Sequence, residues 1–264
     1  MRALGIILSL IFAALVAIYI FILAPEKYEE GDLYDEILQR GKIKVGINTD
    51  SKPFGFMDEN WNIVGYDADL ARYIAQYILK SPNAVEFHPV TPANRMLKVS
   101  TGELDMVIAT VTITPQRKEI IDFSNPYDYA GQALLVRSNS KISSIADLAG
   151  QNVGVVFGTT AEKNMMSLAP TATIIGFRNY RVAYEALKQG KIDALTSDDT
   201  ILSAFAFEDK SVKLLPKRYT KEPYGIAIRQ GKSTQRLKEN VNFAIADMKQ
   251  KNVITRLRRK WGLK

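Results

Sequence analysis

The hydroxyls of Thr110 and Thr112 and the guanidinium of Arg117 are gathered in the run Thr110-Val-Thr-Ile-Thr-Pro-Gln-Arg117. An arginine fork suits a carboxylate, and threonine hydroxyls accept from an ammonium or donate to an oxygen. Thr110, Thr112 and Arg117 therefore point to holding a small zwitterion rather than to breaking a bond. An Arg in a helix's opening turn opposes the macrodipole, so Arg117 calls for an anionic partner there. The plainer alternative is a solvated surface charge.

Three further places carry candidate groups. Asp198 and Asp199 follow a strand-like run and begin a helix. Capping alone accounts for Asp there; alternatively one carboxylate caps and the other receives an ammonium. Gly158-Thr159-Thr160 forms a strand-to-helix turn, either a plain turn or a corner whose N–H groups and hydroxyls receive an anion. Asn94 and Arg95 fall in the first turns of another helix. Arg95 is either exposed or a second guanidinium offered to an acidic or amide side chain.

These groups need a frame. The apolar run 106–109 reads as a buried strand, and Thr114-Pro115 supplies an N-cap and a first-turn proline. Strands are expected at 42–47, 85–90 and 105–109. A helix is expected over 65–79, and another from Thr91-Pro92 through residue 100. A second series has a capping box at Ser144-Ile-Ala-Asp147. It continues with strands at 152–157, 173–177 and 191–195 and helices from 158, over 182–189 and over 198–207. Strand–helix alternation predicts an α/β fold with largely parallel sheets and ligands at the carboxyl edge. The joins at 127–136 and 218–228 look extended, so the second lobe is inserted into the first. A helical tail over 232–261 returns to lobe one.

The bulk properties narrow the function. The chain has 264 residues, 47% hydrophobic and 24% charged, which suits a globular protein with one large or two lobed cores. The lack of cysteine excludes disulfides, thiol nucleophiles and cysteine-based metal sites. The single histidine, His88, lies in a strand-like run and reads as structural. The net charge of +7 is spread along the chain, with a basic knot over 256–261. No focused basic face or groove-reading motif accompanies it, which argues against nucleic acid. There is no P-loop, so the chain is not itself an ATPase. No metal, cofactor or catalytic group is expected.

The first 25 residues stand apart. From Ala3 to Ala24 no residue is charged, and about 20 apolar residues span a bilayer. Ile22-Leu-Ala24 followed by Pro25 is a poor cleavage site. Arg2 before the run and Glu26, Glu29 and Glu30 after it place the N-terminus in the cytoplasm. This favours an uncleaved membrane anchor over a cleaved signal; in either case the remainder is exported. Residues 26–40 read as a polar tether with a short helix.

Several runs, in their order and spacing, resemble extracytoplasmic solute-binding proteins for polar amino acids. They are Val90-Thr-Pro-Ala-Asn-Arg95, Gly102-Glu-Leu-Asp105, the run from Thr110 to Arg117, and Asp122-Phe-Ser-Asn-Pro-Tyr127. Asp147-Leu-Ala-Gly150, Val153-Gly-Val-Val-Phe-Gly-Thr-Thr160, Ile192-Asp-Ala-Leu195 and Pro223-Tyr-Gly225 continue the likeness over about residues 41–263. The resemblance implies a two-lobed periplasmic binding protein type II fold. Each lobe would be a mostly parallel sheet flanked by helices, with two crossover hinge segments. Lobe one would comprise 41–130 and 223–264, and lobe two 131–222.

By position, the resemblance implies that Arg117 binds the ligand α-carboxylate with backbone near Thr112 and Thr160. Thr110 and Asp198 would take the α-ammonium, and Thr159 would close over the ligand. Arg95 matches a position where acidic-amino-acid binders hold the side-chain carboxylate. Two departures matter. Ser51 stands where many relatives place an aromatic ring, and Asn48 where glutamate/aspartate binders place Arg. Glutamine, asparagine and glutamate all remain open, and a strongly cationic ligand is disfavoured by Arg95.

The implied function is a monomeric, membrane-tethered receptor that hands a polar L-amino acid to an ABC permease. Two alternatives compete. One is a cyclohexadienyl or arogenate dehydratase-like enzyme on the same fold, which would need a general acid in a dry pocket. The other is an extracytoplasmic amino-acid sensor, for which a signalling segment after Trp261 is expected and not read.

Overall fold

Apolar residues one turn apart make the first helix of the computed structural model, which describes residues 31–263. Helix α1 (Leu33–Arg40) buries Leu33 and Ile37. Asp32 caps its start by accepting from the Tyr34 N–H at 2.8 Å, and Gly41 ends it in the left-handed conformation. The short helix expected in the tether is therefore present, but it is packed into the fold. Arg236 pairs with Asp35 at 2.7 Å and lies 4.5 Å over the Tyr34 ring. The expected anchor and residues 26–30 lie outside the described residues. Among the described residues no helix is long and apolar enough to cross a membrane.

The first series comprises β1 (Ile43–Asn48), β2 (Asp50–Ser51), β3 (Gly55–Met57), β4 (Ile63–Val64), α2 (Tyr66–Leu79) and β5 (Val85–Val90). It continues with α3 (Arg95–Ser100), β6 (Met106–Val107), α4 (Pro115–Lys118) and β7 (Ile121–Phe123). Then follow β8 (Asp128–Ala130), β9 (Gln132–Arg137), β10 (Asn152–Val156), α5 (Thr160–Leu168), β11 (Thr173–Phe177) and α6 (Tyr180–Lys188). Next come β12 (Ala194–Asp198), α7 (Asp199–Glu208), β13 (Val212–Leu214) and β14 (Glu222–Tyr224). The chain closes with β15 (Ala227–Arg229), α8 (Gln235–Gln250) and α9 (Val253–Lys260).

Two five-stranded sheets share one plan. Their orders are β5-β1-β6-β15-β7 and β11-β10-β12-β9-β13. In each, the fourth strand runs against its neighbours and the other four share a direction. These sheets define lobe one and lobe two, and the fold is the expected two-lobed α/β arrangement. The joins are extended strands that pair antiparallel, β8 with β14, aligning Tyr129 with Pro223.

Helix α2 turns Leu70, Ala71, Ile74, Ala75 and Ile78 inward, and α8 turns Leu237, Val241, Ala244, Ile245 and Met248 inward. This is the stripe an amphipathic helix presents to a core. Each such large aliphatic side chain contributes about 1.5–3 kcal/mol on burial.

Three local expectations shift. The tail is two helices, because Asn252 takes a left-handed turn (φ 55°) between α8 and α9. The helix expected from Thr91-Pro92 begins only at Arg95. The Asn94 carboxamide accepts from the Thr91 N–H at 2.9 Å, so residues 91–94 form a tight turn instead. The strand expected at 191–195 is β12, displaced to 194–198. Its polar end, Thr196-Ser197-Asp198, is buried because the hydroxyls find partners: Thr196 donates to the Ala133 carbonyl at 2.8 Å.

Candidate functional site

Lobe one brings its candidates to the carboxyl ends of β1 and β6. Asn48 ends β1, buried, and its Nδ2 donates to the Ala109 carbonyl at 3.4 Å. Arg95, 2% exposed, donates from Nη1 to the same carbonyl. One carbonyl thus holds both side chains side by side. Asn48 Oδ1 and Arg95 Nε are buried and have no hydrogen-bond partner among the described residues. Each such orphan costs about 1–3 kcal/mol, so the pair presents an acceptor and a donor awaiting a complementary group. Arg95 is therefore a buried cation rather than a surface charge.

Thr110 follows in a left-handed conformation, φ 49°. For a β-branched residue that conformation costs about 1–2 kcal/mol. Its N–H donates to Asp67 Oδ2 at 3.1 Å. Thr112 bridges to Tyr224 of β14. Thr114 caps α4 as expected, its hydroxyl accepting from the Arg117 N–H at 3.2 Å, with Pro115 in the first turn.

Arg117 reaches across the lobes. Its Nη1 donates to the Thr112 carbonyl at 2.8 Å and its Nη2 to the Gly158 carbonyl at 2.9 Å. Among the described residues no carboxylate forms an ion pair with it, and because α4 is a single turn Arg117 also stands in its last turn, so the helix dipole does not call for an anion there. Arg117, Thr159 and Thr160 line a pocket of about 540 Å³ together with Lys163 and Asn164. Gly158 allows this approach: its φ is 78°, and a Cβ there would lie 2.4 Å from the Pro92 carbonyl oxygen. Asp50 makes a second bridge between the lobes, accepting from the Tyr180 N–H at 3.1 Å.

In lobe two, Asp198 stands at the helix-capping position without capping. Its Oδ2 instead accepts from the Tyr224 hydroxyl at 2.5 Å. Asp199 does not cap either. It accepts from the Gly131 N–H at 3.0 Å and pairs with Arg218. The expected capping role is corrected for both: neither aspartate caps α7, because each is held by the crossovers or by residues beside them. Thr159 donates to the Val156 carbonyl at 2.7 Å and leaves α5 without a side-chain cap, so the helix's first N–H groups face the Arg117 side uncapped. The Thr160 hydroxyl donates to Glu222 Oε2 at 3.2 Å.

The electrostatics follow burial. Desolvation pushes Asp198 up to about 7; the Tyr224 hydroxyl and Arg95 pull it down, and Glu222 pushes it further up. Burial likewise depresses Arg117 to about 10, with Arg95 adding like-charge repulsion and Asp198 opposing it. Arg117 remains a cation at neutral pH. Desolvation lowers Arg95 as well. Arg95, buried, and Arg117, half-buried, thus share the electrostatic surroundings of a carboxylate poised between charge states. Among the described residues no group of three or more His, Cys, Asp or Glu is placed to hold a metal.

Four residues escaped the sequence reading: Asp67, Tyr127, Glu222 and Tyr224. Asp67 lies on the buried stripe of α2 with Ala71 and Ile74, where a carboxylate has no packing reason to be. That mismatch was the available signal. Glu222 and Tyr224 flank Pro223 in a segment read as a join and, at Pro223-Tyr-Gly225, as part of the family likeness, with no site role.

The fold and cleft define a two-lobed solute-binding protein. Residues 43–264 match the model of the bacterial extracellular solute-binding proteins, family 3, and the chain belongs to that family. It is 38% identical over 237 residues to the ABC transporter glutamine-binding protein GlnH of Bacillus subtilis (strain 168), covering 89% of this chain and 86% of that protein. It is 40% identical to a glutamine-binding protein of Geobacillus stearothermophilus over 73% of this chain and 74% of that one. Among solved structures, an ancestral arginine-binding protein bound to glutamine superposes with a TM-score of 0.79 at 37% identity, covering 85% of this chain and 99% of the other.

Proposed function

We propose that this chain is the receptor subunit of an ABC importer and binds a polar L-amino acid, glutamine, between its lobes. The observation that carries the reading is Arg117, half-buried and without a carboxylate partner among the described residues, within the electrostatic influence of Asp198 from the other lobe. Arg117 and the uncapped start of α5 at Thr159-Thr160 receive the α-carboxylate, with the Thr112 backbone fixing the guanidinium. Asp198 and Thr110 receive the α-ammonium. A ligand that contacts both lobes favours the closed form by its differential affinity for it. The lobes divide at 41–130 with 223–264, and at 131–222, and move about the β8–β14 pair.

The unpaired atoms select the side chain. Arg95 donates to an amide carbonyl, and Asn48 Oδ1 accepts from the amide N–H₂. A glutamate carboxylate has no proton for Asn48 Oδ1, and an arginine ligand meets the Arg95 charge. The names of the two curated relatives accord with this choice. The receptor acts as a monomer outside the cytoplasm, tethered by its apolar N-terminal segment, and delivers ligand without chemical turnover.

A thermal-shift panel of L-glutamine, L-glutamate, L-asparagine and L-arginine tests the reading. L-glutamine at 100 times its Kd stabilises the protein by about 2.7 kcal/mol, more than the others at equal concentration. A flat response to every member, or turnover of arogenate by the purified protein, contradicts it.

A further inference from the structure

We propose that Asp67 is a positioning residue for the ammonium end of the cleft: its carboxylate holds Thr110 in the left-handed conformation and ties that turn through Tyr127 to the first crossover. This inference rests on the binding role proposed above.

Asp67 is fully buried, and both oxygens are engaged by protein donors. Oδ2 accepts from the Thr110 N–H at 3.1 Å, and Oδ1 accepts from the Tyr127 hydroxyl at 3.0 Å. It is thus not placed to touch ligand. Thr110 is the group that needs an anchor, since a β-branched residue at φ 49° persists only where its surroundings over-determine it. The position of Asp67 in the first turn of α2 offsets part of the burial, because the helix dipole favours a carboxylate there.

Tyr127 carries the link onward. It immediately precedes β8, its N–H donates to the Tyr224 carbonyl at 2.9 Å, and the two rings lie 6.1 Å apart. Tyr224 in turn donates to Asp198. The two residues assigned to the ligand ammonium, Thr110 and Asp198, are therefore each held through a tyrosine of the crossover region. A carboxylate serving only the core would have no reason to bind the one strained residue of the cleft.

A double-mutant cycle separates positioning from mere structure. L-glutamine affinity is measured by calorimetry for the full chain, Asp67→Asn, Thr110→Gly and the double variant. Asp67→Asn weakens binding about tenfold, or about 1.4 kcal/mol. In the Thr110→Gly background the same change costs less than about threefold, since glycine takes a positive φ unaided. Equal costs in both backgrounds, or wild-type affinity in Asp67→Asn, overturn the inference. If Asp67→Asn does not fold, the same cycle with Tyr127→Phe decides it: a loss confined to the Thr110 background supports, and equal losses or none overturn. Failure of the unmutated chain to bind any amino acid contradicts the proposed function instead.

Discussion

The two lobes hold their site residues in different ways. In lobe one the side-chain pair Asn48 and Arg95 is fixed from within by the Ala109 carbonyl, and Thr110 is anchored by Asp67 of α2, which a crossover tyrosine only backs. In lobe two the groups are fixed from the crossovers: Asp198 by Tyr224, Thr160 by Glu222, and Asp199 by Gly131 beside β8. Asn48 and Arg95 form a shelf held within lobe one, whereas Asp198 and Thr160 of lobe two are tied to the crossover strand β14. Arg117 is the shelf's reach into the other half, ending on the Gly158 carbonyl. Under the proposed function, the difference assigns selectivity and closure to separate halves of one cleft, a division that substitution can test.

Substituting the shelf's charged arm has the largest effect. Arg117→Ala removes the carboxylate partner, and L-glutamine affinity measured by calorimetry falls about 100- to 1,000-fold, in the range for losing one side of a buried charge pair. Asp198→Asn breaks the crossover-held half and weakens binding about 10- to 100-fold on the same basis. If Asp198→Asn were silent while Arg117→Ala was not, lobe two would not receive the ammonium.

The pH dependence sharpens the contrast. Asp198 and Asp67 are each raised to about 7 from an ordinary 3.8. A folded value above the unfolded one means the protonated form is favoured by the fold. The stability from these groups is full below about 3.8 and is lost as pH rises through about 7. The ligand ammonium needs ionised Asp198, so affinity runs the other way: level above pH 7 and falling below it. Melting of unliganded protein and calorimetry across pH 5–8 should give these opposite trends, and Asp198→Asn flattens the affinity limb.

The smallest expected effect tests selectivity within lobe one. Asn48→Arg supplies a second donor where Oδ1 now accepts, moving the L-glutamine to L-glutamate preference about tenfold toward glutamate, the scale set by one mismatched polar group. Unchanged preference would place the side-chain subsite elsewhere.

Much of this frame was legible in the residues. Val85–Val90 and Thr173–Phe177 are strands with the bounds expected, and Thr114-Pro115 opens a helix by the cap chemistry its sequence carries. Local signals sufficed because propensity, cap and burial agree at these places. Where tertiary partners decide, the reading drifted. Thr196-Ser197-Asp198 looked too polar for a strand until Ala133, Tyr180 and Tyr224 supplied partners from distant segments. Asp67 went unread, because its partners Thr110 and Tyr127 lie 43 and 60 residues away. Resemblance marks candidate site residues by position; of the residues that hold them, only Asp67 carries a local signal, a carboxylate on the buried stripe of α2.

A crystal structure of the chain with L-glutamine tests the central claim most directly. The account predicts the α-carboxylate on Arg117, the α-ammonium between Thr110 and Asp198, and the side-chain amide spanning Asn48 Oδ1 and Arg95. A ligand that contacts one lobe alone, or that lies with its amide on Arg117, would contradict it.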